Sequence, residues 1–177
     1  HSMIAVAWIF EKGKKVPRNY PFAVRYYKKA ADKGHSMAMY NLACMIREGR
    51  GMAADPIAAS VLMQQSAEKG NADAQATYAA MFEKGIGVNI DYVKAAQWYQ
   101  RAAEQGHSVG QINLALLLAS ENRMVAAYKW MALAAGNGHE GAEKFLKTLA
   151  KNMTEKQVAD AKALAAEFVA KPVIEDV

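Results

Sequence analysis

Residues 30–38 read "AADKGHSMA", and close variants return as "SAEKGNADA" at 66–74, "AAEQGHSVG" at 102–110 and "AAGNGHEGA" at 134–142. Their glycines, Gly34, Gly70, Gly106 and Gly138, are spaced by 36, 36 and 32 residues, and a second series, Gly13, Gly49 and Gly85, is also spaced by 36. Two independent markers with one period define a repeat, and a period of this size is the signature of stacked supersecondary units that share a continuous core.

Each unit reads as two helices. In "YVKAAQWYQRAAEQG" the residues Ala95, Trp98, Tyr99, Ala102 and Ala103 fall on one face of a helix, at offsets of three, four, seven and eight. The same stripe recurs as Ala23, Tyr26, Tyr27, Ala30, Ala31, as Ala59, Leu62, Met63, Ser66, Ala67, and as Ala127, Trp130, Met131, Ala134, Ala135. The four marker glycines fit the left-handed position just past a helix end. His35, Asn71, His107 and His139, with Ser36 and Ser108 close behind, then start a second helix by accepting from its unpaired N–H groups. That helix places Ala38, Leu42 and Ile46, then Ala74, Tyr78 and Phe82, then Gly110, Leu114 and Leu118 at spacings of four on its inner face. The quoted nine residues are therefore a helix end, a tight turn and the next helix start. Small residues on both sides let the pair close as an antiparallel hairpin.

The run "GIGVNIDYVKAAQWYQRAAEQGHSVGQINLALLL" resembles the Sel1-like repeat, a relative of the tetratricopeptide repeat. It has the G-x-G-V-x-x-D loop, the K-A-x-x-W-Y-x-x-A-A helix and the G-x-x-x-A-x-x-x-L turn and second helix. "GRGMAADPIAAS" carries the same loop at Gly49, Gly51 and Asp55. The first junction departs from the pattern, with Lys15 where the second loop glycine belongs, and the loop glycines are missing between the third and fourth units. The resemblance implies an all-α fold, a right-handed α-solenoid of antiparallel helix pairs.

On this reading residues 1–2 are a cloning remnant and 4–16 are the second helix and loop of a repeat whose first helix is absent, leaving Trp8 and Phe10 without their usual partner. Repeats follow at 17–52, 53–88 and 89–122, with a degenerate last one at 123–151. Residues 152–177 form a capping helix and tail: Thr154 and Gln157 make a capping box, and Val158, Ala161, Leu164, Ala165 and Phe168 form an apolar stripe that covers the last repeat. More repeats are expected upstream in the natural protein.

Composition agrees. The 36 alanines favour helix, and the four prolines lie outside the long periodic stretches. One cysteine, Cys44, leaves neither an internal disulfide framework nor a thiolate cluster for zinc. No stretch approaches the roughly 20 apolar residues of a membrane helix. The apparent trimming means that a missing signal peptide says nothing of export, so a periplasmic, exported or cytoplasmic bacterial location stays open. The net charge of +5 is local: residues 11–33 hold eight basic side chains against Glu11 and Asp32.

Candidate chemistry is sparse. His35, His107 and His139 share one repeat position in different units, and units are displaced by at least a helix-packing distance of about 8–10 Å, too far for ligands that sit about 2 Å from one ion. They read as turn residues, and no metal or other cofactor is implied. Cys44 has no base with a sequence reason to activate it. The glycine-rich loops lack the Lys and Ser/Thr of a phosphate-binding loop. The paired aromatics are core by their phase, although an edge of Tyr26, Trp98 or Trp130 can line a concave surface. The basic segment lacks a nucleic-acid recognition motif, so an acidic protein partner or a solvated face fits it better than nucleic acid.

In tetratricopeptide relatives the first helices form the concave, peptide-binding surface. The resemblance thus implies a non-catalytic scaffold or adaptor with a protein or peptide partner, acidic if the basic segment takes part. Arg25, Lys28, Lys29, Gln64, Gln65, Gln97, Gln100, Arg101 and Lys129 are its binding candidates. The alternative is an enzyme acting on β-lactam or peptidoglycan substrates, a role proposed for cysteine-rich relatives. This chain departs from them in its single Cys and lacks a Ser/Lys signature with the further elements of a β-lactamase site.

Overall fold

A computed structural model of the chain describes residues 2–14 and 16–171. His1, the expected departure at Lys15 and the tail from 172 lie outside the described residues. Among the described residues there are ten α-helices and no strand: α1 (Ser2–Lys12), α2 (Tyr20–Ala31), α3 (Ser36–Glu48), α4 (Pro56–Glu68), α5 (Ala72–Lys84), α6 (Tyr92–Glu104), α7 (Ser108–Ser120), α8 (Met124–Gly136), α9 (Glu140–Ala150) and α10 (Glu155–Ala166).

Two repeated turns define these helices. After α2, α4, α6 and α8, the marker glycines adopt φ of 90°, 91°, 82° and 85°. The N–H one residue later donates five residues back: His35 to Ala30, Asn71 to Ser66, His107 to Ala102 and His139 to Ala134. This closes each helix end on its own carbonyls. The second-helix starts are less uniform than the sequence suggests. Asn71 accepts from Ala74 N–H, and His107 Nδ1 accepts from Gly110 N–H at 3.1 Å, but the His35 and His139 side chains make no cap hydrogen bond. An imidazole is a bulkier and more weakly placed acceptor than the Oδ1 of Asn.

The longer junctions carry a different clip. Asn19, Asp55 and Asp91 cap α2, α4 and α6 through Oδ1, at 3.0 Å to Phe22 N–H, 3.0 Å to Ala58 N–H and 2.9 Å to Lys94 N–H. Their own N–H groups donate to the carbonyls of Phe10, Ile46 and Phe82 at 2.9, 3.1 and 3.0 Å. One residue thereby starts a first helix and ties it to the end of the preceding second helix. Where the loop glycines are missing after α7, Asn122 supplies the left-handed residue, at φ 61°, as Asn tolerates better than most side chains.

The chain divides into two compact units after Ala95. In the first, consecutive helices α1 to α5 pack on one another around Ala7, Ala23, Tyr27, Ala38, Leu42, Met45 and Ala59. Phe10, expected to be without its usual partner, packs on Phe22 with ring centroids 4.5 Å apart, while Trp8 stays 41% exposed. Gly51 and Gly87 are tight-packing positions. A Cβ on Gly51 would lie 2.7 Å from the backbone of Tyr20, and one on Gly87 would lie 2.0 Å from the Pro56 carbonyl oxygen. Each loop therefore lies directly against the start of the first helix one repeat earlier.

In the second unit α7 packs on α8, and α8 on α9 and α10. Gly110 lets α7 approach α6, since a Cβ there would lie 2.8 Å from Ala102 Cβ. The C-terminal helix departs from expectation. Helix α10 keeps its capping box at Thr154 and Gln157, but it ends at Ala166, so Phe168 lies beyond the helix and Leu164 is exposed. It packs on α8, the first helix of the last pair, and just beyond its end Phe168 meets Trp130 edge-on, with centroids 5.4 Å apart.

Candidate functional site

Helical phase puts the predicted stripes inside and leaves the alternate faces of the first helices outside. Tyr27, Met63 and Tyr99 are fully buried at equivalent positions. One residue earlier, Tyr26, Leu62 and Trp98 are half-buried, while Trp130 is buried.

In the first unit a groove of about 430 Å³ lies between α2, α3 and α4. Met39, Leu42 and Ile46 of α3 floor it, Val24 and Leu62 flank it, and Lys28, Asp32 and Gln65 form its polar rim. Of the candidates in this unit, Lys28 and Gln65 thus line the groove. Arg25 and Lys29 are exposed elsewhere on α2, with Lys29 Nζ 5.6 Å from the Tyr26 ring. Gln64 is already engaged: its amide donates to Glu68 at 2.8 Å, and its oxygen accepts from the Tyr78 hydroxyl at 3.2 Å.

In the second unit Gln100, Glu104, Lys129 and Trp130 line the corresponding groove, of about 410 Å³, together with Phe168 and Lys171 of the chain's own C-terminal segment. Phe168 packs edge-on against Trp130. Lys171 donates its backbone N–H to the Glu104 carbonyl at 2.7 Å and pairs its ammonium with the Glu104 carboxylate. Burial alone would raise the Glu104 pKa, but the hydrogen bonds from Lys171 and Gln100 outweigh it and hold the carboxyl below its ordinary value. Gln100 is bonded to Glu104 at 3.0 Å, and Lys129 Nζ lies 4.6 Å from the Trp130 ring centroid. Gln97 is exposed, and Arg101 stacks on Trp98 at 4.4 Å. Sequence reasoning missed Asp32, Glu104 and Lys171. Their visible signal was that Asp32 and Glu104 occupy one repeat position.

Burial pushes the Cys44 thiol up from its ordinary value, the opposite of what a nucleophile needs. Glu11 is buried, and accepts from the Tyr27 hydroxyl at 2.9 Å and from Arg50 at 2.7 Å. Burial would raise its pKa, yet the hydrogen bonds from Tyr27, Arg50 and Lys12 prevail and lower it. Burial, followed by the Glu11 contact, pushes the Tyr27 hydroxyl up. This is an interhelical tie between α1, α2 and the loop after α3. Among the described residues no group of three His, Cys, Asp or Glu side chains could hold a metal ion, and no helix is long and apolar enough to cross a membrane.

Helix pairs repeating with shared caps and a shared groove position define a helical-repeat protein of the α-solenoid class. The Sel1 repeat profile matches residues 1–35, 36–71, 72–107 and 109–139, and the chain belongs to the Sel1 repeat family. Members of this family generally serve as protein–protein interaction scaffolds. The fold matches that of c5321, described as a protective antigen of uropathogenic Escherichia coli displaying an SLR fold. The TM-score is 0.80 at 30% identity over 93% of this chain and 37% of that one. A Sel1 repeat protein from Oxalobacter formigenes matches with a TM-score of 0.80 and 28% identity, over 93% of this chain and 71% of that one. The chain thus spans little over a third of the length of c5321. No curated protein matches it.

Proposed function

We propose that the chain is a non-catalytic scaffold that binds a protein or peptide partner on the exposed faces of its first helices. The supporting observation is the groove between α2 and α4, with an apolar floor and with Lys28 and Gln65 on its rim. Such a groove supplies dry area for an apolar side chain and donors for a partner's carbonyls and carboxylates. Packed helices pre-organise it, so little ordering entropy is lost by the receptor on binding. Arg25 and Lys29 add exposed cations elsewhere on α2. Gln97, Gln100, Arg101 and Lys129 form the counterpart surface in the second unit, of which Gln100 and Lys129 adjoin the chain's own C-terminal segment.

The test is capture of partner proteins by the full-length protein, compared with the triple variant Arg25→Glu, Lys28→Glu, Lys29→Glu. Loss of a reproducible partner with an unchanged helical circular dichroism spectrum is expected. Undiminished capture by the triple variant would reject this surface.

A further inference from the structure

The surface at Trp130 and Glu104 is occupied in the structure by the chain's own residues 167–171, "EFVAK". Helix α10 has ended at Ala166, so these residues approach as irregular chain rather than as a packed helix. Two of them make the contact. Phe168 lies edge-on to Trp130 with centroids 5.4 Å apart, and the Lys129 ammonium stands 4.6 Å from the Trp130 centroid and 5.8 Å from that of Phe168. Three residues on, Lys171 meets the C-terminal end of α6. There the Ala102 and Ala103 carbonyls accept from N–H groups of the following turn, and the Glu104 carbonyl accepts from the Lys171 N–H at 2.7 Å. The Lys171 ammonium pairs with the Glu104 carboxylate, which Gln100 also holds at 3.0 Å.

Each contact selects a chemistry. The Lys129 cation beside the seat favours a ring over an aliphatic side chain, because the face of a ring attracts a cation. The last carbonyls of a helix lack intrahelical partners and carry negative partial charge, so the Glu104 carbonyl and carboxylate together favour an N–H donor and a cation. A carboxylate at that point would be repelled by both.

The hold on this segment is thin. Of residues 167–171 only Phe168 is half-buried, the other four are exposed, and the Lys171 side chain is 69% exposed. Exposed ion pairs contribute little. With the segment in place, a groove of about 410 Å³ still lies open between it, Gln100, Trp130 and Leu164. An occupant that kept both contacts and filled more of this groove would displace the segment.

We infer that residues 167–171 are a displaceable stand-in for a partner segment of the same chemistry, an aromatic residue followed three residues later by a lysine, and that they cover Trp130 and Glu104 until such a segment competes for them. This deepens the proposed function and rests on it, by naming the kind of segment the second unit takes and the contact that regulates access to it.

Fluorescence anisotropy with the labelled peptide AEFVAKA, and with AEAVAKA and AEFVAEA, tests the inference. Each is titrated with the intact chain and with the double variant Phe168→Ala, Lys171→Ala, whose thermal melt shows it folded. Loss of the internal contact should tighten AEFVAKA at least about tenfold, and both altered peptides should bind the double variant at least about tenfold more weakly than AEFVAKA. Adding Glu104→Gln should abolish the discrimination between AEFVAKA and AEFVAEA and keep that against AEAVAKA. Equal affinity of AEFVAKA for the intact chain and the double variant would overturn the inference, because the segment would not be competing. No binding to the double variant, or equal binding of AEFVAEA and AEFVAKA to it, would overturn it as well. Capture through α2 is read separately by the triple variant, so the proposed function stands or falls on that result alone.

Discussion

Gly87 lies so close to Pro56 that a Cβ on the glycine would sit 2.0 Å from the proline carbonyl oxygen, and its φ is 69°. The second glycine of the loop is therefore both a conformational and a packing requirement, since it holds the junction after α5 against the start of α4. The Ser60 hydroxyl bonds the Gly87 carbonyl at 3.2 Å across the same contact.

Gly87→Ala should destabilise the protein by about 3 kcal/mol, combining a left-handed alanine with a backbone clash that no side-chain rotation relieves. Gly136→Ala is the control: this helical glycine is exposed and a Cβ would meet nothing within 4 Å. It should raise stability by up to about 0.5–1 kcal/mol. Urea unfolding followed by circular dichroism measures both, and equal effects would contradict the packing account.

The Glu11 carboxylate is held below its ordinary pKa in the folded state, although its burial works in the other direction. Its contribution is therefore complete above the unfolded value of about 4.3 and is lost as pH falls through the lower folded value. Tyr27→Phe removes the 2.9 Å donor and should cost about 1–2 kcal/mol at pH 7. The deficit relative to the parent should shrink as pH falls below about 4. Paired urea titrations at pH 7 and in acid check this, and a constant deficit would show that the charge of Glu11 is not involved.

Phe168→Ala should expose the edge of Trp130, red-shift the tryptophan emission and lower stability by about 1 kcal/mol. Lys171→Ala should change stability by less than about 0.5 kcal/mol, because its side chain is 69% exposed and surface pairs contribute little. Emission spectra and thermal melts of the two variants separate aromatic seating from ion pairing. No emission shift on loss of Phe168 would mean that the segment does not rest on Trp130 in solution.

The reach of the sequence can be judged residue by residue. Spacing alone located the helix pairs, because every inner stripe is a short-range consequence of the helical period, and Ala23, Tyr27, Ala95 and Tyr99 are all completely buried as their phase requires. The turns were legible for the same reason, since a left-handed glycine and a capping side chain act within six residues. Lys28 and Gln65 could be named as surface candidates from the same phase. The tie from Gln64 to Tyr78 could not be recognised, because Tyr78 belongs to the next helix.

What the sequence determined by itself is the repeat, its family, its helices and the side chains each helix turns outward, all governed by periodicity and local capping. Only the tertiary structure decided which of those side chains meet across helices. It placed Phe168 and Lys171 on Trp130 and Glu104, gave Glu11 to Tyr27, and left Lys28 beside an apolar groove. The physical reason is that a helix face follows from neighbours along the chain, whereas contacts across helices join residues that the helical period does not relate.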